Sequence, residues 1–339
     1  MMRRTRLFLI VLLVAGLAPG LWWRMPLPPL RHDEGVTVTR LSGLPAKVGE
    51  MEVEGAWELE SRNEHFGGFS ALAMTDGSTL LAASDKARFM RIAVPPGRNI
   101  AAGELGYFRP GGAQDKRLSD LEALAHDPET GMIWASYENL NTIERVSADG
   151  KRTTARLPGT GDWPARSGAE AIERLPDGRF VVIAESRGGD AGSPALLFPG
   201  DPLGKGEPLA FRFKGPEGYS PTGAAALPDG RLLVLMRTWR FGVPPAFRCL
   251  IVLADPAQIA SGEVWTGRVV ARLQPPLPSD NYEGIAVRPR ADGSFTVWVI
   301  SDDNFMRHQR TLLLQLRWQE RTHEKARGKP RASSKIQQG

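Results

Sequence analysis

Short apolar stretches recur along the chain in pairs, each pair joined by a polar turn, at residues 69–85, 121–138, 169–185, 222–237 and 282–302. The first stretch of a pair is built of small residues, as in Ala169-Glu-Ala-Ile172. The second is stronger, as in Phe180-Val-Val-Ile-Ala184 or Leu232-Leu-Val-Leu-Met236. The turns carry Asp-Gly or Glu-Thr-Gly, which supply the positive φ that tight connections need, so each pair predicts a β-hairpin. The second strands are apolar on both faces, which suits strands covered on both sides. When Ser70, Glu122, Glu170, Thr222 and Glu283 are taken as equivalent, the repeats are spaced by 52, 48, 52 and 61 residues. Hairpins repeating about every 50 residues are the signature of propeller blades. The expected fold is all-β, a β-propeller with five or six blades. Strands at Thr311–Trp318, Val36–Arg40 and Met51–Leu59 are available to close the ring from both chain ends or to add a sixth blade.

The ends of the chain read differently. Arg3, Arg4 and Arg6 precede an apolar run from Leu7 to Ala18, the basic-then-apolar order of an export signal. Residues 1–24 are therefore expected to be a signal peptide or, uncleaved, an N-terminal membrane anchor. Leu7–Trp23 is near the short limit for a span, with Trp22 and Trp23 at interface depth. Residues 25–35, with Pro26-Leu-Pro-Pro29, form a linker, 36–318 the propeller, and 319–339 a disordered basic tail. The protein is expected to be periplasmic or secreted, with the inner membrane as a partner only if 7–23 is retained.

Composition sharpens this picture. With 339 residues, 42% of them hydrophobic, the chain is not disordered as a whole, and its 37 Gly and 27 Pro suit many turns. The lone Cys249 excludes an internal disulfide and, inside Phe247-Arg-Cys-Leu-Ile-Val-Leu253, reads as a buried small hydrophobe. The net charge of +5 suggests an anion-seeking domain until it is located. Residues 1–35 carry +3 and residues 319–339 carry +4, leaving −2 for the propeller. Nucleic acid is not an expected partner, and a monomer is expected.

The hairpin pattern also places chemistry. The start of the first strand and the end of the second lie at one edge of an antiparallel pair. One mouth of the channel should therefore collect Ser70 with Asp85, Glu122 with Glu138, Glu170 with Glu185, Thr222 with Arg237, and Glu283 with Asp302. Lys86, Arg88, Arg187, Arg240 and Arg307 follow close behind. Clustered carboxylates can hold a hard cation such as Ca²⁺, and arginines clamp anionic groups. The expected roles are Glu122, Glu170 and Glu283 as catalytic groups, and Asp85, Glu138, Glu185 and Asp302 as metal ligands. Arg187, Arg237, Arg307 and Arg88 would bind a small anionic ester or phosphoester.

Other signatures are missing. The sequence has no Gly-x-Ser-x-Gly elbow, His-Glu-x-x-His, Cys-x-x-Cys, P-loop or dinucleotide fingerprint. Its five histidines, at 32, 65, 126, 308 and 323, are scattered and predict no zinc site. Trp57, Trp134, Trp239, Trp298 and Trp318 fall in or beside strands and read as packing. Trp163, in a loop, reads as a ligand-facing aromatic.

A series of short motifs carries a resemblance. Phe66-Gly-Gly-Phe69 with Ser84-Asp85, Asp120-Leu-Glu-Ala-Leu-Ala125, Gly168-Ala-Glu-Ala-Ile172 with Ala184-Glu-Ser186, and Asn281-Tyr-Glu-Gly-Ile-Ala-Val287 with Ser301-Asp-Asp-Asn304 resemble the phytase-like domain of exported bacterial proteins. The likeness spans about 65–318. It implies a β-propeller, a periplasmic setting and hydrolysis of phosphoesters or carboxylic esters, with Ca²⁺ as the candidate cofactor. The fourth repeat departs from the pattern, with Thr222 and Arg237 where the others hold acids. The rival reading is a non-catalytic periplasmic propeller that binds a ligand or protein through the same mouth, and a calcium-dependent lactonase-type propeller lies chemically close to the first.

Overall fold

The computed structural model describes residues 6–8, 31–110, 118, 120–138, 141–161, 163, 168–186, 191–240, 242 and 246–320. The segment expected to direct export, apart from Arg6–Phe8, and the tail beyond Glu320 lie outside the described residues. Among the described residues no helix is long and apolar enough to cross a membrane.

Every repeat forms the inner part of one sheet. After β1 (Thr37–Arg40), β2 (Lys47–Val48) and β3 (Met51–Glu60), the first blade runs β4 (Phe69–Asp76), β5 (Thr79–Ser84), β6 (Arg88–Ala93) and β7 (Ala101–Tyr107). The second is β8 (Leu121–His126), β9 (Ile133–Tyr137), β10 (Thr142–Val146) and β11 (Arg152–Arg156). The third is β12 (Ala169–Arg174), β13 (Phe180–Ala184), β14 (Ser193–Phe198) and β15 (Leu209–Lys214). The fourth joins β16 (Ser220–Ala226), β17 (Leu232–Arg240) and β18 (Ala246–Ala254) to β20 (Arg268–Leu273), while β19 (Val264–Thr266) pairs in parallel with β15 of the third. That excursion lies in the longest of the repeat spacings.

The fifth blade closes the ring. Its strands β21 (Asn281–Pro289), β22 (Phe295–Asp302) and β23 (Thr311–Trp318) come from the carboxyl end, and β3 from the amino end pairs antiparallel with β23, from Thr311 opposite Leu59 to Arg317 opposite Glu52. Arg290 bridges both Glu54 oxygens, at 2.7 and 3.1 Å, within the same blade. The innermost strands β4, β8, β12, β16 and β21 each pack on the next, and β21 returns to β4. The protein is a five-bladed propeller, and both chain ends contribute to its closure.

Local chemistry explains the regularity. Leu175-Pro-Asp-Gly-Arg179 and Leu227-Pro-Asp-Gly-Arg231 are the same sequence and fold the same way. Gly178 and Gly230 both have φ of 87°, and the Asp177 and Asp229 carboxylates accept the amides of Arg179 and Arg231 at 3.1 and 3.0 Å. Second strands are covered through most of their length, β13 being buried at all five positions. Blade faces interlock through apolar clusters such as Leu233, Leu235 and Ile251 with Val299, Leu312 and Leu314. Trp57, Trp134, Trp298 and Trp318 are buried as expected, but Trp239 is 46% exposed at the far end of β17. Trp163 is half-buried and packs against the cluster of Trp134, Phe180 and Leu157. Cys249 is buried, and burial pushes its thiol up to about 12, so it behaves as a small hydrophobe.

At the end of the channel opposite the hairpin starts, a cavity of about 430 Å³ is lined by His126, Glu173, Arg174 and Arg288 among others. Burial pushes the Glu173 carboxyl up to about 8, against a hydrogen bond from the Ala226 amide and the nearby Arg174 charge. The folded protein therefore holds a proton there that the unfolded chain has released. This contribution to stability is complete below the ordinary carboxylate range and is lost as pH rises through about 8. In thermal melts, Glu173→Gln is expected to match the parent below the ordinary carboxylate range, to exceed it increasingly as pH rises from there to about 8, and to keep a constant advantage above that. Two melting curves that stay parallel across that range would refute this ionisation.

Candidate functional site

The five equivalent positions share a backbone irregularity. Pairing slips by one residue between Phe69 and Ala71, Leu121 and Ala123, Ala169 and Ala171, Pro221 and Gly223, and Tyr282 and Gly284. Ser70, Glu122, Glu170, Thr222 and Glu283 are the extra residues of five β-bulges. A bulge leaves one residue outside the ladder and re-aims its side chain, a device common beside functional sites. The next residue is always small: Ala71, Ala123, Ala171, Gly223 and Gly284. Crowding explains it, since a β-carbon on Gly223 would stand 2.6 Å from the Glu283 carbonyl oxygen, and one on Gly284 would stand 2.9 Å from the Leu72 nitrogen.

Where the bulged residue is a hydroxyl it ties blades together. Ser70 Oγ donates to the Leu121 carbonyl at 2.5 Å, and Thr222 Oγ1 lies 3.5 Å from the Tyr282 carbonyl. Where it is a glutamate, the carboxylate joins an acidic layer at the channel mouth. Leu72, Leu124, Ile172, Ala224 and Ile285 form an apolar layer beneath it, and the void lined by the two layers is only about 10 Å³, roughly one water. The mouth is therefore a closed cup and not the top of a pore.

Strand ends complete the cup as the hairpin argument requires. The amides of Asp85, Glu138 and Glu185 each donate at 3.0 Å to a carbonyl two residues before the bulge, on Gly68, Asp120 and Gly168. Two of those acceptors are glycines, and a β-carbon on Gly68 would lie 2.6 Å from Asp85 Oδ1. In the fifth blade Asn281 holds the equivalent place and donates to Glu283 at 2.8 Å and to Asp302 at 3.4 Å. Arg237, the cation of the fourth blade, reaches across. It pairs with Glu283, donates to Asn281 Oδ1 at 2.6 Å and meets Glu185 Oε1 at 3.1 Å.

Crowding of carboxyls is visible in their proton affinities. Burial first, then Glu170 and Glu283, raises Glu122 well above the usual range. Burial, then Glu185 and Glu283, does the same for Glu170, while Arg237 opposes. Asp302 is raised by burial and by Glu283. Asp85 is raised to about 6, chiefly by burial, with Lys86 opposing and Asp120 adding repulsion. Glu283 is raised by burial but is held back by Arg237 and by its hydrogen bond from Asn281.

The sequence reading missed Asp120 as a site residue. It adopts φ of 73°, a left-handed conformation uncommon outside glycine, and its amide donates to the Asp85 carbonyl at 2.8 Å. One carboxylate oxygen from each of Asp120, Glu122 and Glu138 lies within 4.8 Å of the other two. The Asp that opens Asp120-Leu-Glu was the available signal, but its backbone conformation was not.

Thus the structure brings Glu122, Glu170, Glu283, Asp85, Glu138, Glu185, Asp302 and Arg237 to one mouth. Arg187 lies outside the described residues. Arg88 is half-buried at the start of β6 and Arg307 is exposed beyond β22, and neither forms an ion pair with these acids among the described residues.

A five-bladed propeller with an acidic, arginine-bridged cup at one mouth is the class that fold and site define. The phytase-like family, described as "Esterase-like activity of phytase", matches residues 64–305, more than two thirds of the chain. The chain belongs to that family. No curated protein matches it. Among solved structures it is similar to hydrazine synthase of Kuenenia stuttgartiensis at 17% identity and TM-score 0.38, covering 70% of this chain and 57% of that one. It is also similar to a streptogramin B lyase at 11% identity and TM-score 0.39, covering 83% and 98% of the two chains. The Cps50 (Swd1) β-propeller domain of Myceliophteria thermophila aligns at 11% identity and TM-score 0.37, covering 85% and 100%.

Proposed function

We propose that this chain is an exported hydrolase of small anionic esters, phosphoesters or carboxylic esters, acting at the acidic mouth. The observation that carries the reading is the placing of three glutamates, on bulges of three different blades, in one electrostatically coupled cup spanned by Arg237. The basic and apolar residues 3–18 support export.

The donor set fits a hard divalent cation such as Ca²⁺. Asp120, Glu122 and Glu138 offer oxygens alone, close together, and the nearby Asp85 Oδ1 is buried with no hydrogen-bond partner. When bound, such an ion polarises the scissile group and lowers the pKa of water. The remaining roles belong to side chains. Arg237, fixed by Glu185 and Glu283, orients the anionic part of the substrate. Glu283, held closer to the ionised form by Arg237 and Asn281, takes the proton of the attacking water. The new bond forms from water oxygen to phosphorus or acyl carbon, and the bond to the leaving oxygen breaks. Glu170, which keeps its proton, gives it to that oxygen.

The test is turnover of an aryl phosphate and an aryl acetate by purified protein with added Ca²⁺ and then with chelator. Turnover of either ester that falls on chelation supports the reading. Rates equal to buffer for both esters, with Ca²⁺ present, overturn it.

A further inference from the structure

Away from the acidic cup, metal-ligating atoms meet where the amino-terminal linker joins the propeller. His32 Nδ1 lies 2.8 Å from Glu64 Oε1, and His65 Nε2 lies 3.5 Å from the same oxygen. One ligand atom from each of the three residues falls within 4.8 Å of the other two. Ligand atoms around tetrahedral zinc stand about 3.3 Å apart at ordinary bond lengths, so the cluster needs only small side-chain adjustments to enclose an ion. The histidines are 33 positions apart and belong to no spacing motif, which is why the sequence predicted no zinc site.

The cluster is held in place by the chain around it. Asn63 Nδ2 donates to the His32 and Glu34 carbonyls, both at 3.0 Å, and the Glu64 amide donates to the Arg31 carbonyl at 3.3 Å. Ser61 Oγ donates to the Gly35 carbonyl at 2.8 Å. His32 is thus carried to Glu64 by backbone contacts that need no metal. Glu64 and His65 are both 7% exposed, and the His65 ring packs edge-on against Tyr107 at 4.5 Å. His65 Nδ1 is buried with no hydrogen-bond partner, so the ring directs its polar contact through Nε2 toward Glu64.

Among the described residues, the ion-pairing partners of Glu64 are these two imidazoles. A dication seated among the three ligand atoms would be neutralised in part by the buried Glu64 carboxylate and bound by both imidazoles. We propose that His32, Glu64 and His65 bind a transition-metal dication of the zinc class. Two imidazoles and one carboxylate favour such an ion over Ca²⁺, which prefers oxygen alone. Exposed His32 leaves the ion an approach from solvent and a position for water. The bound metal fastens residues 31–35 to the segment that leads through Phe66-Gly-Gly68 to the mouth.

The test is calorimetric titration of the metal-free full chain with Zn²⁺ in excess Ca²⁺, which occupies the oxygen sites. One tight zinc per chain is expected. His32→Ala, a change at an exposed side chain, should weaken it by about 100-fold or more, since even outer partners of metal ligands are worth about 10- to 100-fold. Co²⁺ should give a ligand-field absorption band in the parent that disappears in His32→Ala. Zinc uptake of unchanged affinity in that variant, or no uptake in excess Ca²⁺, overturns the site.

Discussion

Glu170→Gln is expected to lower turnover of an aryl phosphate or aryl ester by about 100-fold or more, the usual range for loss of a general acid. The substitution keeps the volume and removes the transferable proton. Glu170 is held well above the usual carboxylate range by burial and by Glu185 and Glu283, and its residue is 8% exposed. An ester with a better leaving group needs less protonation, so the deficit should shrink across a series of aryl leaving groups of falling pKa. A uniform deficit would assign Glu170 to binding instead. A variant as active as the parent, with an unchanged melting curve, would remove Glu170 from the chemistry.

The legible and illegible parts of this site separate along a physical line. Strand pairing depends on patterns that span few residues, so Asp-Gly turns and apolar runs such as Leu232–Met236 disclosed the hairpins, and antiparallel geometry then placed Glu122 beside Glu138 and Glu283 beside Asp302. The strands β3 and β23 were legible for the same reason, but the sequence left open whether they close the ring or add a sixth blade. The bulges were not, because a serine, a threonine and three glutamates share no property that marks an unpaired residue. Their signature was the small residue that follows, Ala71 through Gly284, read in the sequence only as weak strand character. Asp120 depended on a left-handed backbone and His32 on where a linker docks, neither of which periodicity reports.

Arg237→Met should destabilise the metal-free protein by about 3 kcal/mol near neutral pH, the lower part of the range for removing one partner of a buried ion pair. The lower figure suits side chains that are 18% exposed for Arg237 and 11% for Glu283. The arginine is the one cation in direct contact with Glu283 among the described residues, and it also satisfies Asn281 and Glu185. Without it, only the hydrogen bond from Asn281 still opposes burial at Glu283, and its proton affinity rises further. The folded variant then binds more protons than the unfolded chain above the ordinary carboxylate range, and its stability falls as pH rises through the raised value. The deficit measured by urea unfolding with chelator present should therefore be largest at neutral pH and shrink toward pH about 5. Adding Glu283→Gln to Arg237→Met should restore much of the loss, because the stranded charge is gone, giving a non-additive cycle. A deficit that is constant with pH and additive in the double variant would trace the loss to packing and dissolve the electrostatic account of the cup.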